Sequence, residues 1–305
     1  MNVIFLGSGD IGLPSLQWLL DDAGTTVSAV VTQPDRAAGR GLRVRLSAIK
    51  ELATAHGIPV LQPAKVRDPK AVAEIASYRP DLLVVMAYGQ ILPQSLLDVP
   101  RLGALNLHAS LLPRHRGAGP VHAAILAGDA KSGVTVMWMD AGLDTGDILL
   151  SCECAILPDE TAGTLHDKLA DLAPQALASA WPLLCAGKAP HVPQDVTQAT
   201  YAPKLDRALG RLDWQQSAGE IARKIRGLHP WPGCTARVEV DGGKILDLKI
   251  HGAVAVGAAA APENLRFACA GGGVLQILEL QPAGGKRMSA EEFLRGHRVL
   301  RALRA

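Results

Sequence analysis

The sequence is poor in the residues that staple or ligate. Its five cysteines, Cys152, Cys154, Cys185, Cys234 and Cys269, are odd in number, scattered and without a CxxC pair. That argues against a disulfide framework or a zinc ribbon and makes a reduced cytoplasm the expected setting. Long apolar runs are missing as well. The blandest stretch, residues 252–261, is short and made of small side chains, so no membrane span is expected. Residues 2–6 form a strand-like run with no basic segment before it, and no secretory leader is expected. Neither a P-loop nor a nucleophile elbow occurs. Internal repeats are absent, and the only low-complexity tract is the alanine-rich one.

What remains is ordinary in bulk: 305 residues, 48% hydrophobic and 20% charged. Such a chain folds into one large domain or two. The net charge is only +2, but it is unevenly placed. Residues 1–203 hold 15 Lys/Arg against 19 Asp/Glu, whereas residues 204–305 hold 16 against 10. A basic C-terminal part suits a polyanionic partner, although a surplus of charge also simply solvates a surface.

Apolar runs and helical patterns alternate through the first part. Asn2 to Leu6 predicts a buried strand, Gly7 to Gly12 a tight turn, and the following residues a helix. Strands are expected over 27–31, 81–86, 103–108, 134–139 and 148–154. Helices are expected over 48–56 and from the Asp68-Pro69 cap to Ser77. A further helix spans 161–185, interrupted around Pro174 and Pro182. This alternation predicts an α/β fold with a Rossmann-like, mostly parallel open sheet. Residues 187–203 are proline-bearing and read as a linker. Beyond them come two capping boxes, Ser217-x-x-Glu220 and Ser289-x-x-Glu292, and two hairpins with glycine turns at 241–243 and 271–273. A small OB-like β-barrel is expected there. The predicted organisation is a catalytic domain over 1–187, a linker over 188–206 and a C-terminal domain over 207–305.

Gly7-x-Gly9-x-x-Gly12 matches the dinucleotide fingerprint. The second strand, however, ends in Val31-Thr32-Gln33-Pro34, and the nearest acid, Asp35, lies beyond the proline. Tight-turn glycines alone do not require NAD. The chemistry concentrates elsewhere, in Leu105-Asn106-Leu107-His108. Strand periodicity puts Asn106 and His108 on one face, at the carboxyl end of a strand, where open α/β sheets bind ligands. The run Asp140 to Asp147 holds Asp140, Gly142, Asp144 and Gly146, and such a loop can curl a carboxylate towards its neighbours. An amide, an imidazole and a carboxylate suffice for acyl transfer without a covalent enzyme intermediate. Singly, His108 could be a satisfied core histidine, Asn106 a strand-end polar group and Asp144 a turn former. A metal site from His108, His115 and His122 fails: their spacing needs one helix, which Pro113, Gly117 and Pro120 break.

With these residues in view, Asn106-x-His108, followed by Ser110-Leu111-Leu112-Pro113-x-x-Arg116-Gly117-x-x-Pro120, resembles the signature of the N10-formyltetrahydrofolate-dependent formyltransferases and hydrolases. Asp144 is similar to their third catalytic position. Across its whole length the chain resembles the methionyl-tRNA formyltransferase family within that group. The further stretches that carry this are 34–41, 199–204, 213–214, 225–233 and 285–289. The segment Leu42-Arg43-Val44-Arg45 departs from the lysine-rich form associated with the family, while keeping its basic charge. The resemblance implies catalytic roles for Asn106, His108 and Asp144. It implies a formyl-folate site along Tyr88, Gly89, Ile91 and Leu92, along Ser110, Leu111, Leu112 and Pro113, and along Asp140, Gly142 and Leu143. For tRNA it implies Arg36, Arg40, Arg43, Arg45 and Lys204. The co-substrate would be N10-formyltetrahydrofolate, the acceptor initiator Met-tRNA, and no metal is called for. A monomer that stays off membranes is expected. Composition supports the loop on its own account: Arg36, Arg40, Arg43, Arg45 and Lys50 face a single acid, Asp35, across residues 35–50, and arginine suits phosphates and unpaired bases. Sequence alone leaves open a nucleotide-sugar formyltransferase, a formyltetrahydrofolate hydrolase, an NAD-dependent dehydrogenase and a non-catalytic RNA-binding module.

Overall fold

The computed structural model describes residues 1–38, 43–257 and 265–303, and for 36–38 and 43–45 the backbone only. It divides into two compact units. The first comprises 1–120, 131–155 and 166–202; the second comprises 121–130, 156–165 and 203–305.

The first unit opens with β1 (Asn2–Gly7), α1 (Leu13–Asp21) and β2 (Thr26–Val31). A short hairpin follows, β3 (Arg36–Ala38) and β4 (Arg43–Arg45), and then α2 (Ala48–Ala55), β5 (Val60–Leu61), α3 (Pro69–Ser77) and β6 (Leu82–Met86). Asp68 caps α3 through Lys70 N, as the Asp-Pro pair predicts. Next come α4 (Gln94–Leu97), β7 (Ala104–His108), the two-residue β8 (Arg116–Gly117), α5 (Pro120–Ala127), β9 (Lys131–Trp138), β10 (Ile148–Ala155) and α6 (Ala162–Cys185). β11 (Tyr201–Ala202) pairs in parallel with β8.

The main sheet has the order β10-β9-β7-β6-β1-β2-β5. β5, β2, β1, β6 and β7 run parallel, β9 pairs antiparallel to β7, and β10 pairs antiparallel to β9. β1 and β6 are almost wholly buried, which is why both read as continuous apolar runs. The turn after β1 is closed by the protein itself. The amides of Ser8 and Gly9 both donate to Ala87 O, and the hydroxyl of Ser8 accepts from Gln33 N.

α6 differs from its sequence reading, because it runs unbroken through Pro174 and Pro182. Its inner face, Leu165, Leu169, Ala173, Leu177, Ala180 and Leu184, is buried along its length. That burial outweighs the hydrogen bonds the prolines forgo.

In the second unit, α7 (Ala218–Gly227) starts at the expected capping box, with Ser217 and Glu220 bonded reciprocally. The strands β12 (Cys234–Val240), β13 (Ile245–Val256), β14 (Arg266–Ala268), β15 (Val274–Pro282) and β16 (Met288–Ser289) follow, then α8 (Ala290–Gly296), capped by Ser289, and β17 (Val299–Leu303). They form a nearly closed, barrel-like antiparallel sheet, β14-β15-β13-β12-β17, with β16 on β15. Register shifts around Gly252 bend the long β13, the curvature a barrel needs. Its core joins Ile221, Ile225 and Leu228 to Val238, Ile250, Leu275 and Leu280. Residues 121–130 and 156–165 belong here through specific bonds: His122 Nδ1 meets Gly227 O at 2.8 Å, and Arg226 Nη1 donates to Glu160 O at 2.9 Å. Among the described residues no helix is long and apolar enough to cross a membrane.

Candidate active site

Asn106 and His108 leave β7 on the same face, and both meet Asp144. Asn106 Nδ2 donates to Asp144 Oδ1 at 3.2 Å, and His108 Nδ1 lies 3.7 Å from Asp144 Oδ2. His108 is buried and Asn106 half-buried. Because β9 is antiparallel to β7, the chain leaves it beside the start of β7, where Met139 N donates to Ala104 O. The loop 139–147 therefore doubles back over the sheet face to deliver Asp144, so this carboxylate does not come from a neighbouring strand end.

That loop is shaped by its own residues. Asp140 accepts from Gly142 N at 3.0 Å and from Thr145 Oγ1 at 2.8 Å, the self-bonding turn that aspartate favours. A Cβ on Gly146 would lie 1.9 Å from Trp138 O, so only glycine lets the loop close. Asp144 itself has φ +53, a left-handed conformation that aspartate tolerates better than most residues.

Two backbone groups finish the site. Gly117 N donates to Asp144 Oδ2 at 2.8 Å. Gly117 has φ +115, and a Cβ there would sit 2.6 Å from Ala202 O, so the signature glycine has a structural reason. His108 Nε2 lies 2.9 Å from His115 O. A carbonyl only accepts, so Nε2 carries hydrogen and Nδ1 is the ring atom that gains or loses a proton. Nδ1 faces Asp144. Asn106 keeps one amide hydrogen beyond the one given to Asp144, available to a developing oxyanion.

Sequence reasoning missed several supporting residues. The buried Thr135 holds the Ser110–Pro113 segment: its Oγ1 donates to Ser110 O at 2.7 Å and accepts from Leu112 N at 3.1 Å. Thr200 Oγ1 accepts from His115 N at 2.8 Å, and Arg116 N donates to Thr200 O. Gln194 bonds Arg116 and the Asp144 loop. Thr200 and Gln194 lie in the stretch read as a linker, which is docked: Trp138 Nε1 donates to Pro190 O, His191 stacks on Trp138, and Val192 exchanges backbone bonds with Ile148. Polar residues among prolines carry no periodic signal, so spacing could not have found them.

The expected folate positions split by exposure. Tyr88, Leu92, Ser110 and Leu112 are buried, whereas Gly89, Ile91, Asp140, Gly142 and Leu143 are exposed. Leu111 and Pro113 are half-buried. Burial pushes the Tyr88 phenol up to about 12, and its hydroxyl has no partner among the described residues. Of the expected tRNA positions, Lys204 is exposed, Arg36, Arg43 and Arg45 are described by backbone alone, and Arg40 lies outside the described residues. Lys50, counted in the basic loop from composition, is instead bound to Asp35 and to Gln62 Oε1. The hydrogen bonds from Lys50 and then Gln62 hold the Asp35 carboxyl below the usual range.

An amide, an imidazole and a carboxylate converge on one point, a geometry for moving an acyl group directly between two bound partners. Comparison with known proteins supplies the group. The profile Formyl transferase matches residues 1–181, and Formyl transferase, C-terminal domain, matches residues 204–298. The chain is thus an enzyme of the formyl-transferring class. It is 45% identical over 307 residues to the methionyl-tRNA formyltransferase of Geotalea uraniireducens (strain Rf4), covering 98% of this chain and 96% of that one. The Pseudomonas paraeruginosa (strain DSM 24068 / PA7) enzyme of the same name is 46% identical over 301 residues, with the same coverage. The chain belongs to the methionyl-tRNA formyltransferase family.

Solved structures share the fold at lower identity. The sugar 3N-formyl transferase WlaRD, crystallised with dTDP and 5-N-formyl-THF, superposes with a TM-score of 0.66 at 16% identity, over 94% of this chain and 99% of that one. HypX from Aquifex aeolicus in complex with tetrahydrofolic acid gives 0.60 at 18%, over 96% of this chain and 46% of that longer one.

Proposed function

We propose that the chain transfers the formyl group of N10-formyltetrahydrofolate to the α-amino group of methionine on initiator tRNA, with Asn106, His108 and Asp144 as its catalytic residues. The observation that carries this reading is the meeting of those three side chains in a member of this family. The uncharged amine attacks the formyl carbon, forming a C–N bond and a tetrahedral oxyanion. The remaining Asn106 N–H and the protonated His108 Nδ1 donate to that oxygen. Collapse breaks the bond between the formyl carbon and folate N10. The proton lost by the amine passes through the His108–Asp144 pair, and N10 leaves with one proton.

Formyl-folate lies against Tyr88, Gly89, Ile91 and Leu92, against Ser110 to Pro113, and against Asp140, Gly142 and Leu143, which flank the catalytic residues in sequence. Arg36, Arg40, Arg43 and Arg45, with Lys204, meet the tRNA backbone. The hairpin register supports this, since Arg36 pairs directly with Arg45 across β3 and β4. Basic residues at paired backbone positions concentrate positive charge on one short hairpin, which suits a polyanionic partner. Residues 1–187 form the folate half and the basic 207–305 the tRNA half, joined by 188–206. The test mixes the protein with formyl-folate and charged initiator tRNA. Formation of N-blocked methionine is the expected result; formate release without acceptor, or indifference to charged tRNA, would refute the reading.

A further inference from the structure

The geometry points to Gln194 as a positioning residue that holds Asp144 in register with His108, an inference that rests on the catalytic roles proposed above. Gln194 lies between the two matched segments, 1–181 and 204–298. Its side chain uses its full hydrogen-bonding capacity on the site's frame. Nε2 donates to Asp144 O at 2.9 Å and to Gly146 O at 2.7 Å. Oε1 accepts from Arg116 Nη2 at 2.7 Å and Nε at 3.1 Å. The residue after Arg116 is Gly117, whose amide binds the Asp144 carboxylate. A closed ring results: the guanidinium of Arg116 holds Gln194, Gln194 holds the Asp144 backbone, and the Asp144 carboxylate returns to Gly117.

Asp144 needs such a hold. It sits at φ +53 in a loop that crosses back over the sheet, and its carboxylate stands 3.7 Å from His108 Nδ1, a separation that a small loop shift would undo. The bonds to the Asp144 and Gly146 carbonyls pin the loop on both sides of Thr145. The anchor itself is firm, because the neighbouring Val192 exchanges two backbone bonds with Ile148, at 2.8 and 3.0 Å. The stretch joining the two family domains thereby becomes part of the active-site wall. Sequence reading assigned it only connection.

Gln194→Glu keeps an acceptor for Arg116 but loses both donors to the loop; Gln194→Leu loses everything. Both variants are compared with Asp144→Asn and with the double variant Q194L/D144N in steady-state formylation of charged initiator tRNA. The expected result is a kcat lowered about tenfold or more in each Gln194 variant, with both KM values and the melting midpoint nearly unchanged. In the Asp144→Asn background, Gln194→Leu adds less than about twofold, because its effect passes through Asp144. Multiplicative losses in the double variant would overturn the inference. So would wild-type kcat in Gln194→Glu, or kcat and KM worsening together with a lowered melting midpoint. Full turnover by Asp144→Asn would refute the catalytic assignment itself, and is thereby distinguished from a failure at Gln194 alone.

Discussion

Asn106 spends one amide hydrogen on Asp144 and keeps one. If the second meets the oxyanion, Asn106→Ala lowers kcat about 10²- to 10³-fold, the usual loss for one such donor. Formyl-folate affinity, read by fluorescence titration, stays within about threefold, because the oxyanion does not exist in the ground state. Near-normal turnover would remove Asn106 from the chemistry. The residue types needed here were legible from the strand's two-residue period, which puts Asn106 and His108 on one face whatever the rest of the chain does. The tautomer of His108 was not legible. It depends on His115 O, seven residues on, presented by a residue at φ +59 that Thr200 holds. No local pattern encodes the bond that fixes His115, which joins it to a docked segment 85 positions away in sequence.

Elements set the tolerance of this site to change. Gly117 must hold a positive φ while its Cα faces Ala202 O and the ring of Tyr201. Gly117→Ala therefore costs about 1–3 kcal/mol in stability through backbone strain and moves the amide off Asp144. Urea unfolding measures the first effect, and a kcat loss exceeding any KM change reports the second. On α6, Pro182 is exposed and inside the helix. Pro182→Ala restores a backbone donor and raises stability by about 1 kcal/mol in the same assay, as the residual helical cost of proline outweighs its rigidity in the unfolded chain. Elements with strong periodicity or explicit caps, such as α3, α7 and the two glycine-turn hairpins, were readable because each signal is local. β17 was not, since Arg301 and the short run Val299–Leu303 look like an exposed tail until β12 offers an edge. The length of α6 was misread for the complementary reason: proline's cost is local, whereas the buried face that overrides it is tertiary.

At the scale of the whole molecule, charge and protonation decide how the parts respond to solution conditions. In the second unit, burial first and then Arg287 hold His229 below its ordinary value. Burial also leads for His251, whose ring meets that of His229 edge-on at 6.1 Å. A histidine kept neutral by folding contributes stability that is complete above the unfolded value of 6.5 and is lost as pH falls through the lowered folded value. The melting midpoint should accordingly drop as pH falls below the ordinary histidine value of 6.5, and His251→Gln should flatten that drop; an equal fall in the variant would locate the protonation elsewhere.

Salt probes the other global feature, a basic surplus carried by residues 204–305 and by the 36–45 hairpin. Each phosphate neutralised contributes about 0.7–0.9 to the fall of log affinity per log unit of salt. If Arg36, Arg40, Arg43, Arg45 and Lys204 each meet one phosphate, tRNA binding weakens about 100- to 500-fold between roughly 50 and 200 mM salt, with formyl-folate binding far less affected. Arg43→Ala lowers the slope by about one contact, whereas Lys50→Ala leaves it unchanged, because Lys50 already neutralises Asp35 and releases no counterion to RNA. The pair of variants separates the hairpin from its base. A slope that responds to Lys50 and ignores Arg43 would mean the tRNA backbone reaches the foot of the loop and misses its strands.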